Sequence, residues 1–176
     1  MLALAWVAAG ALQALGASRD VSKEYEIKAA FLYNFTKFVE WRADHFETST
    51  EAITIAVCGP NRFGDELQKI VKGRQVNGRE IVVKFAEAAD EALDAELAFV
   101  GAIAEERVAE TVQTLNAAGI VTVGETRAFA EAGGMIVFVL EGDKVRFEIE
   151  VGEAERRGLK ISAQLQKLAK TVRRAR

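Results

Sequence analysis

The sequence predicts an α/β domain of three-layer-like build: a mainly parallel sheet ending in an antiparallel C-terminal hairpin, flanked by helices. Three patterns carry that expectation. From Ile53 onward, short apolar runs alternate with segments of helical periodicity, the order that builds successive β-α-β units. Residues 135–140 (MIVFVL) are apolar at every position, as expected of a strand buried on both faces. After the turn EGDK, residues 144–150 alternate strictly. Val145, Phe147 and Ile149 face one way and Lys144, Arg146, Glu148 and Glu150 the other, so this strand is half solvated.

The elements follow in order. Residues 1–17 (MLALAWVAAGALQALGA) are uncharged and apolar, with Ala14 and Gly16 placed for a signal peptidase, and Ser18, Arg19 and Asp20 come next. The run reads as a secretory signal peptide, with an N-terminal anchor as the alternative; it lacks a basic n-region and is short for a span. Residues 18–176 then form a single domain. Ser22 as N-cap, Glu24 and Glu26 near the positive end of the helix dipole, and Ile27, Phe31, Phe35 and Phe38 at helical spacing predict a helix over 23–40. Tyr25, Tyr33 and Trp41 add more rings than one apolar stripe needs. Deep packing against the sheet is the ordinary reason, and Tyr33 and Trp41 are the candidates for partner contact.

Next come a strand at 53–58 (ITIAVC), a helix at 62–71, a strand at 78–86 and a short acidic helical stretch at 87–93. A strand at 96–101, a helix at 105–117, a strand at 120–123 and a short helix at 125–132 lead to the hairpin. The C-terminal segments 152–158 and 159–176 both read as helical. In the second, Ile161, Leu165, Leu168 and Val172 mark an apolar face. Lys167, Lys170, Arg173, Arg174 and Arg176 complement the helix dipole and could meet anionic lipid or an acidic partner, although a solvated tail is the plainer reading.

Half of the 176 residues are hydrophobic, enough for a core without metal or disulfides. A net charge of -3 argues against nucleic acid as a partner. The lone Cys58, at the end of an apolar strand, permits no internal disulfide and reads as a small buried hydrophobe. His45 is the only histidine and stands in a polar loop, with no serine or cysteine placed beside it. There is no HExxH or CxxC spacing, and no pair of carboxylates set across a cleft. No catalytic residue, metal site or cofactor is therefore expected, and the chain reads as no enzyme.

Two features point to binding. The turn GPNRFG (59–64) joins a strand to a helix, where α/β sheets place ligands, yet it is neither GxGxxG nor GxxxxGK[ST]. Asn61 reads as a helix cap, and Asn61, Arg62 and Phe63 are the candidate ligand pocket. Lys144, Arg146, Glu148 and Glu150 form the second candidate, a charged strand edge whose free backbone groups could pair with another chain. Gly133 and Gly134, before the buried strand, suggest a special dihedral or close backbone approach. Asn34-Phe35-Thr36 matches the glycosylation pattern but lies within a helix.

Three segments together resemble the YfiR family of bacterial periplasmic proteins: EYEIKAAFLYNFTKFVEW (24–41), TVGETRAFAEAGGMIVFVLEGDKVRFEIE (122–150) and RRGLKISAQLQKLAK (156–170), with CGPNRFG and FVG fitting more loosely between them. The resemblance implies a non-enzymatic exported regulator. Such proteins form homodimers, repress a membrane diguanylate cyclase by binding its periplasmic portion, and are sequestered by an outer-membrane lipoprotein, so that cyclic-di-GMP and biofilm formation follow envelope conditions. The best-known member uses paired cysteines; with Cys58 alone, an intramolecular disulfide switch is excluded here. The other reading is a periplasmic small-ligand module acting as a sensor.

Overall fold

A computed structural model of the chain describes residues 6–41, 45, 46, 48 and 50–174, with side chains from residue 21 onward. Its main sheet has eight strands. Helix α1 (Trp6–Phe38) leads into a short strand β1 (Val39–Glu40), and β2 (Ile53–Cys58) opens the α/β part. Helix α2 (Glu66–Val71), β3 (Gln75–Val76) and β4 (Arg79–Ala86) follow. A 3-10 turn at Asp90–Ala92 precedes β5 (Leu97–Val100), α3 (Glu105–Ala117), β6 (Val121–Gly124) and α4 (Arg127–Glu131). The hairpin is β7 (Ile136–Glu141) and β8 (Lys144–Glu150). Helix α5 (Val151–Arg156), β9 (Lys160–Ile161), α6 (Ala163–Leu168) and β10 (Thr171–Arg173) complete the chain.

The strand order is β10-β8-β7-β6-β5-β2-β4-β3. β4, β2, β5, β6 and β7 run parallel, and β7–β8 is the antiparallel hairpin the sequence predicts, with Phe138 opposite Phe147. Two cores cover the two faces. On one face Leu32 and Phe35 of α1 and Leu67 of α2 pack on Ile55, Phe99, Phe138 and Phe147; on the other Val108, Val112 and Leu115 of α3 and Phe129 of α4 pack on Ala56, Ala98 and Val100. The three-layer α/β expectation holds.

Several boundaries move, each for a local reason. Ser22 is an interior, exposed residue of α1 and not its cap, because the Ala- and Leu-rich residues before it continue the helix without a break. The expected leader at 1–17 lies outside the described residues at 1–5 and forms the start of α1 thereafter; among the described residues no helix is long and apolar enough to cross a membrane. The same helix stops at Phe38, since Val39 and Glu40 pair with Ile161 and Lys160 as β1–β9. Helix α2 begins at Glu66 and not at Arg62. Asn61 is no cap: its Oδ1 accepts from Phe63 N (3.0 Å) and its Nδ2 donates to Gly64 O (3.0 Å), holding 61–64 as a turn. The strand expected at 78–86 is the second arm of a hairpin with β3, turned by Asn77 and Gly78, both at positive φ (53° and 80°), the backbone that an Asn-Gly turn adopts.

The C-terminal reading needs the largest correction. Residues 159–176 are not one helix. Ser162 Oγ accepts from Leu165 N (3.2 Å) and starts a new short helix there, and the chain is extended again from Ala169. Ile161 and Leu165 are buried, but Leu168 and Val172 are exposed, so the four residues share no continuous apolar face. β10 then lies parallel beside β8, with Thr171 opposite Glu148 and Arg173 opposite Glu150, so β8 is not the free edge of the sheet. MIVFVL is likewise less enclosed than expected: Val137 and Val139 are half-buried and Leu140 is 57% exposed.

Candidate functional site

β2 connects to β4 on one side, and β5 returns to the other side of β2. That reversal is a topological switch point, and parallel sheets bind ligands outside the carboxyl ends of the strands there. In this chain a cleft of about 430 Å³ opens at that end, with Val21, Tyr25, Arg62, Glu125, Phe138 and Leu140 among its walls. Its polar floor is a cluster drawn from three places. Lys28 Nζ, on a side chain only 4% exposed, donates to Glu24 Oε1 one helical turn earlier and to Glu125 Oε2 just after β6. The Tyr25 hydroxyl donates to Glu125 Oε1 (2.5 Å), and the Lys28 ammonium lies 4.6 Å from the centre of the Tyr25 ring. Burial, and then Glu125 as acceptor, push the Tyr25 phenol above its ordinary range, and Arg62 beside it works the other way.

Two carboxylates and two cations thus meet in a nearly neutral cluster. Each buried charge has an opposite partner, the condition for burying charge at all. The bonds tie the middle of α1 to a loop 97 residues away in sequence, fixing the helix over the carboxyl end of the sheet.

At the other end of β2, Glu96 is 5% exposed; its Oε2 accepts from Thr54 N (2.6 Å) and its Oε1 faces His45 Nε2 (3.2 Å). Burial raises the Glu96 carboxyl, and the Thr54 N–H and His45 oppose that rise. His45 is exposed, as the sequence suggests, but has this carboxylate as a neighbour. It cannot activate Cys58, which stands four residues along β2 from Thr54, about 13 Å of strand. Burial and the nearby Glu91 also push the Cys58 thiol up to about 11, so little thiolate exists at neutral pH. Among the described residues no group of three His, Cys, Asp or Glu side chains is placed to hold a metal ion.

The other candidate residues are scattered. Of the ligand-pocket trio only Arg62 lines the cleft; Asn61 is exposed in its turn, and Phe63 is buried edge-on against Tyr25 and Phe99. Tyr33 is buried and not exposed, its ring covered by Lys37 (Nζ 4.0 Å from the centre) and Arg74 (4.9 Å). Trp41 is half-buried against Phe46, and its Nε1 has no partner among the described residues. Lys144 and Arg146 stay exposed, Arg146 near Glu141 (3.8 Å). Glu148 accepts from Arg173 (2.6 Å), and Glu150 is half-buried, so the charged edge is partly closed by β10. The basic tail is paired as well, Lys170 with Glu141 (3.1 Å) and Arg174 with Glu155 (2.7 Å); Arg176 lies outside the described residues.

Sequence reading missed Lys28, Glu24 and Glu125. The only available signal was the i, i+4 spacing of Glu24 and Lys28, which elsewhere marks an exposed helix pair.

A family model described as YfiR/HmsC-like matches residues 25–170. None of the curated proteins matches the chain. Among solved structures, a conserved domain protein from Vibrio cholerae O1 biovar El Tor shares the fold with a TM-score of 0.53 at 11% identity over 85% of this chain. This chain spans 60% of that protein's length. The ABC domain in complex with L-Trp from Streptococcus pneumonia gives a TM-score of 0.48 at 12% identity, covering 69% of this chain and 55% of that one.

Proposed function

The chain belongs to the YfiR/HmsC-like family, and from that premise we propose that it is a non-enzymatic periplasmic regulator. Residues 1–17 direct export and are removed, and the single domain at 18–176 binds and represses an inner-membrane signalling protein, a diguanylate cyclase, until an outer-membrane lipoprotein sequesters it. The observation that carries this reading is the condition of the cleft. Lys28, Glu24, Glu125 and Tyr25 bond to one another, which leaves the floor rigid and without a group held ready for attack or proton transfer. Around it stand apolar residues open to solvent, Val21 (49% exposed) and Leu140 (57%), with Lys144 and Arg146 beyond the hairpin turn. Exposed apolar side chains around a charge-compensated floor, flanked by basic residues, make a surface that another protein can cover.

Capture of envelope proteins on the mature domain is expected to retain a membrane protein with a periplasmic sensory portion, and deletion of the gene is expected to raise cyclic-di-GMP. Leu140→Asp with Arg146→Glu should weaken capture on the order of tenfold or more while the melting temperature holds. Capture of no membrane protein, together with an unchanged second messenger, would overturn the reading.

A second reading, a small-ligand sensor, is favoured by one observation: Arg62, from the strand-to-helix turn, lines the cleft at the switch point. A ligand that binds the native state raises its melting temperature. A thermal-shift screen of amino acids and nucleotides should then yield a hit that Arg62→Ala abolishes; no shift at millimolar ligand removes this reading and leaves the first intact.

A further inference from the structure

The outer side of β4 is an open strand edge with a helix standing beside it. β3 pairs only with Arg79 and Glu80, and the strand beyond them is paired on the β2 side alone. The Ala86 carbonyl accepts from Gly59 N (3.0 Å), at the end of β2, so Ala86, Lys84 and Val82 turn their peptide groups inward. Alternate residues of a strand bond to the same neighbour and those between them face the other way. Val83 and Phe85 therefore each offer an N–H and a C=O to the open side.

Exposed edges are normally guarded by a charge, a proline or a bulge. Here the register with β2 runs without a bulge, the strand has no proline, and its lysine is occupied: Lys84 Nζ donates to Asp94 Oδ1 (2.7 Å). Val82 and Phe85 are each 41% exposed. Ile81 and Val83 of β4 face Gln68, Lys69 and Lys72 of the α2 region across a cleft of about 510 Å³. Lys69 pairs with Glu66 of its own helix (2.8 Å), whereas Lys72 is exposed and has no ion-pair partner among the described residues.

We propose that this groove takes an extended segment of a different protein, added to the sheet beside β4, with apolar side chains over Ile81 and Val83 and a carboxylate that reaches Lys72. Backbone and charge choose that occupant together. The open groups of Val83 and Phe85 are spaced as a strand spaces them, and another extended backbone satisfies both residues at once. Lys69 and Lys72, three residues apart and so on one side of the helical region, give the facing wall two cations against the single acid Asp65. A second copy of β4, paired about a two-fold axis, would bring its own α2 to the same side of the joined sheet and set these lysines against their equals. An acidic strand meets no such conflict. The groove lies away from the cleft under α1, since β2, β5 and β6 separate β4 from β7, and the proposal does not depend on what that cleft binds.

Synthetic peptides test the groove directly. The probe is a short fluorescein-labelled peptide of alternating valine and threonine, with one central valine replaced by glutamate, glutamine or lysine. Anisotropy titration of the purified protein is expected to rank glutamate above glutamine by about tenfold and to show no binding of the lysine peptide. With the glutamate peptide bound, the Val83 and Phe85 amides should gain protection from hydrogen exchange, while those of Val82 and Lys84, already turned to β2, should not change. Val83→Pro removes only an outward N–H, which an edge strand tolerates, and should weaken binding on the order of tenfold or more. Lys72→Glu should move the preference to the lysine peptide, and Leu140→Asp with Arg146→Glu should leave peptide binding unchanged. No binding at millimolar peptide, a bound peptide that leaves the Val83 and Phe85 amides unprotected, binding indifferent to both Val83→Pro and Lys72→Glu, or protection of those amides that rises with protein concentration alone, the mark of a second copy, would overturn the assignment. If Val83→Pro fails to fold, Lys72→Glu and the amide pattern still decide.

Discussion

Gly134→Ala is expected to destabilise the domain by about 3 kcal/mol, the upper end for overpacking a core, although alanine is the smallest possible change. A Cβ at Gly134 would stand 2.0 Å from Phe129 Cε1 and 2.2 Å from Cζ, and at Gly124 the same ring lies 2.4 Å away. Phe129 is fully buried in the cluster beneath α3 and α4, and its ring sits flat between two bare backbones. It has nowhere to turn without breaking the α4 contact with β6, whose N-cap Thr126 accepts from Phe129 N (3.1 Å). The strain is one of space, because Gly134 has an ordinary backbone; its neighbour Gly133 is the one at positive φ (89°). Phe129→Ala should cost about 3–5 kcal/mol by the cavity it leaves. The double variant is the sharper test. If ring and glycine occupy the same volume, Gly134→Ala should cost far less once Phe129 is leucine, with a coupling of about 1–3 kcal/mol in a urea-denaturation cycle. Additive costs would mean that the ring relaxes elsewhere.

This pair shows what could be read from the sequence and what could not. The Gly-Gly step before MIVFVL announced a close approach, but nothing announced Phe129 as the object approached, because it lies on another element. The hairpin itself was legible, since the period-2 alternation of residues 144–150 depends on one strand and its turn. The aromatic run of α1 was legible as core: Phe31 and Phe35 pack on Phe138 and Phe147 with ring centres 5.1–6.0 Å apart, so those rings serve the sheet and not a partner. The C-terminal segment is not legible in the same way, because Ile161, Leu165, Leu168 and Val172 have helical spacing by coincidence. Periodicity reports a helix only if one neighbour covers the whole stripe, and here Ile161 and Leu165 enter the core while the chain turns to extend the sheet. The same coincidence hides β10, which makes β8 an interior strand of the sheet.

The polar cluster under the cleft was the least legible part, and its removal is expected to have the other large effect. Lys28→Met leaves Glu24 and Glu125 without the cation that lies between them, and should cost about 3–5 kcal/mol, as breaking a buried ion pair does. The cost arises from the stranded carboxylates and not from loss of the pair as such. Lys28→Met combined with Glu24→Gln and Glu125→Gln should therefore recover most of it, because well-packed neutral groups replace buried ions with little loss. Denaturation midpoints of the single and triple variants test this directly; equal losses would show that the lysine acts through packing. Hydrogen exchange would then locate the effect. If the cluster is the fastening between α1 and the carboxyl end of the sheet, amides around residues 21–28 should lose protection in Lys28→Met well before those of β5 and β6, whose strands are buried and fully paired. Partner capture should fall in the single variant and return in the triple, because the exposed Val21 and Leu140 can form one surface only while the helix that carries Val21 is held over the end of the sheet.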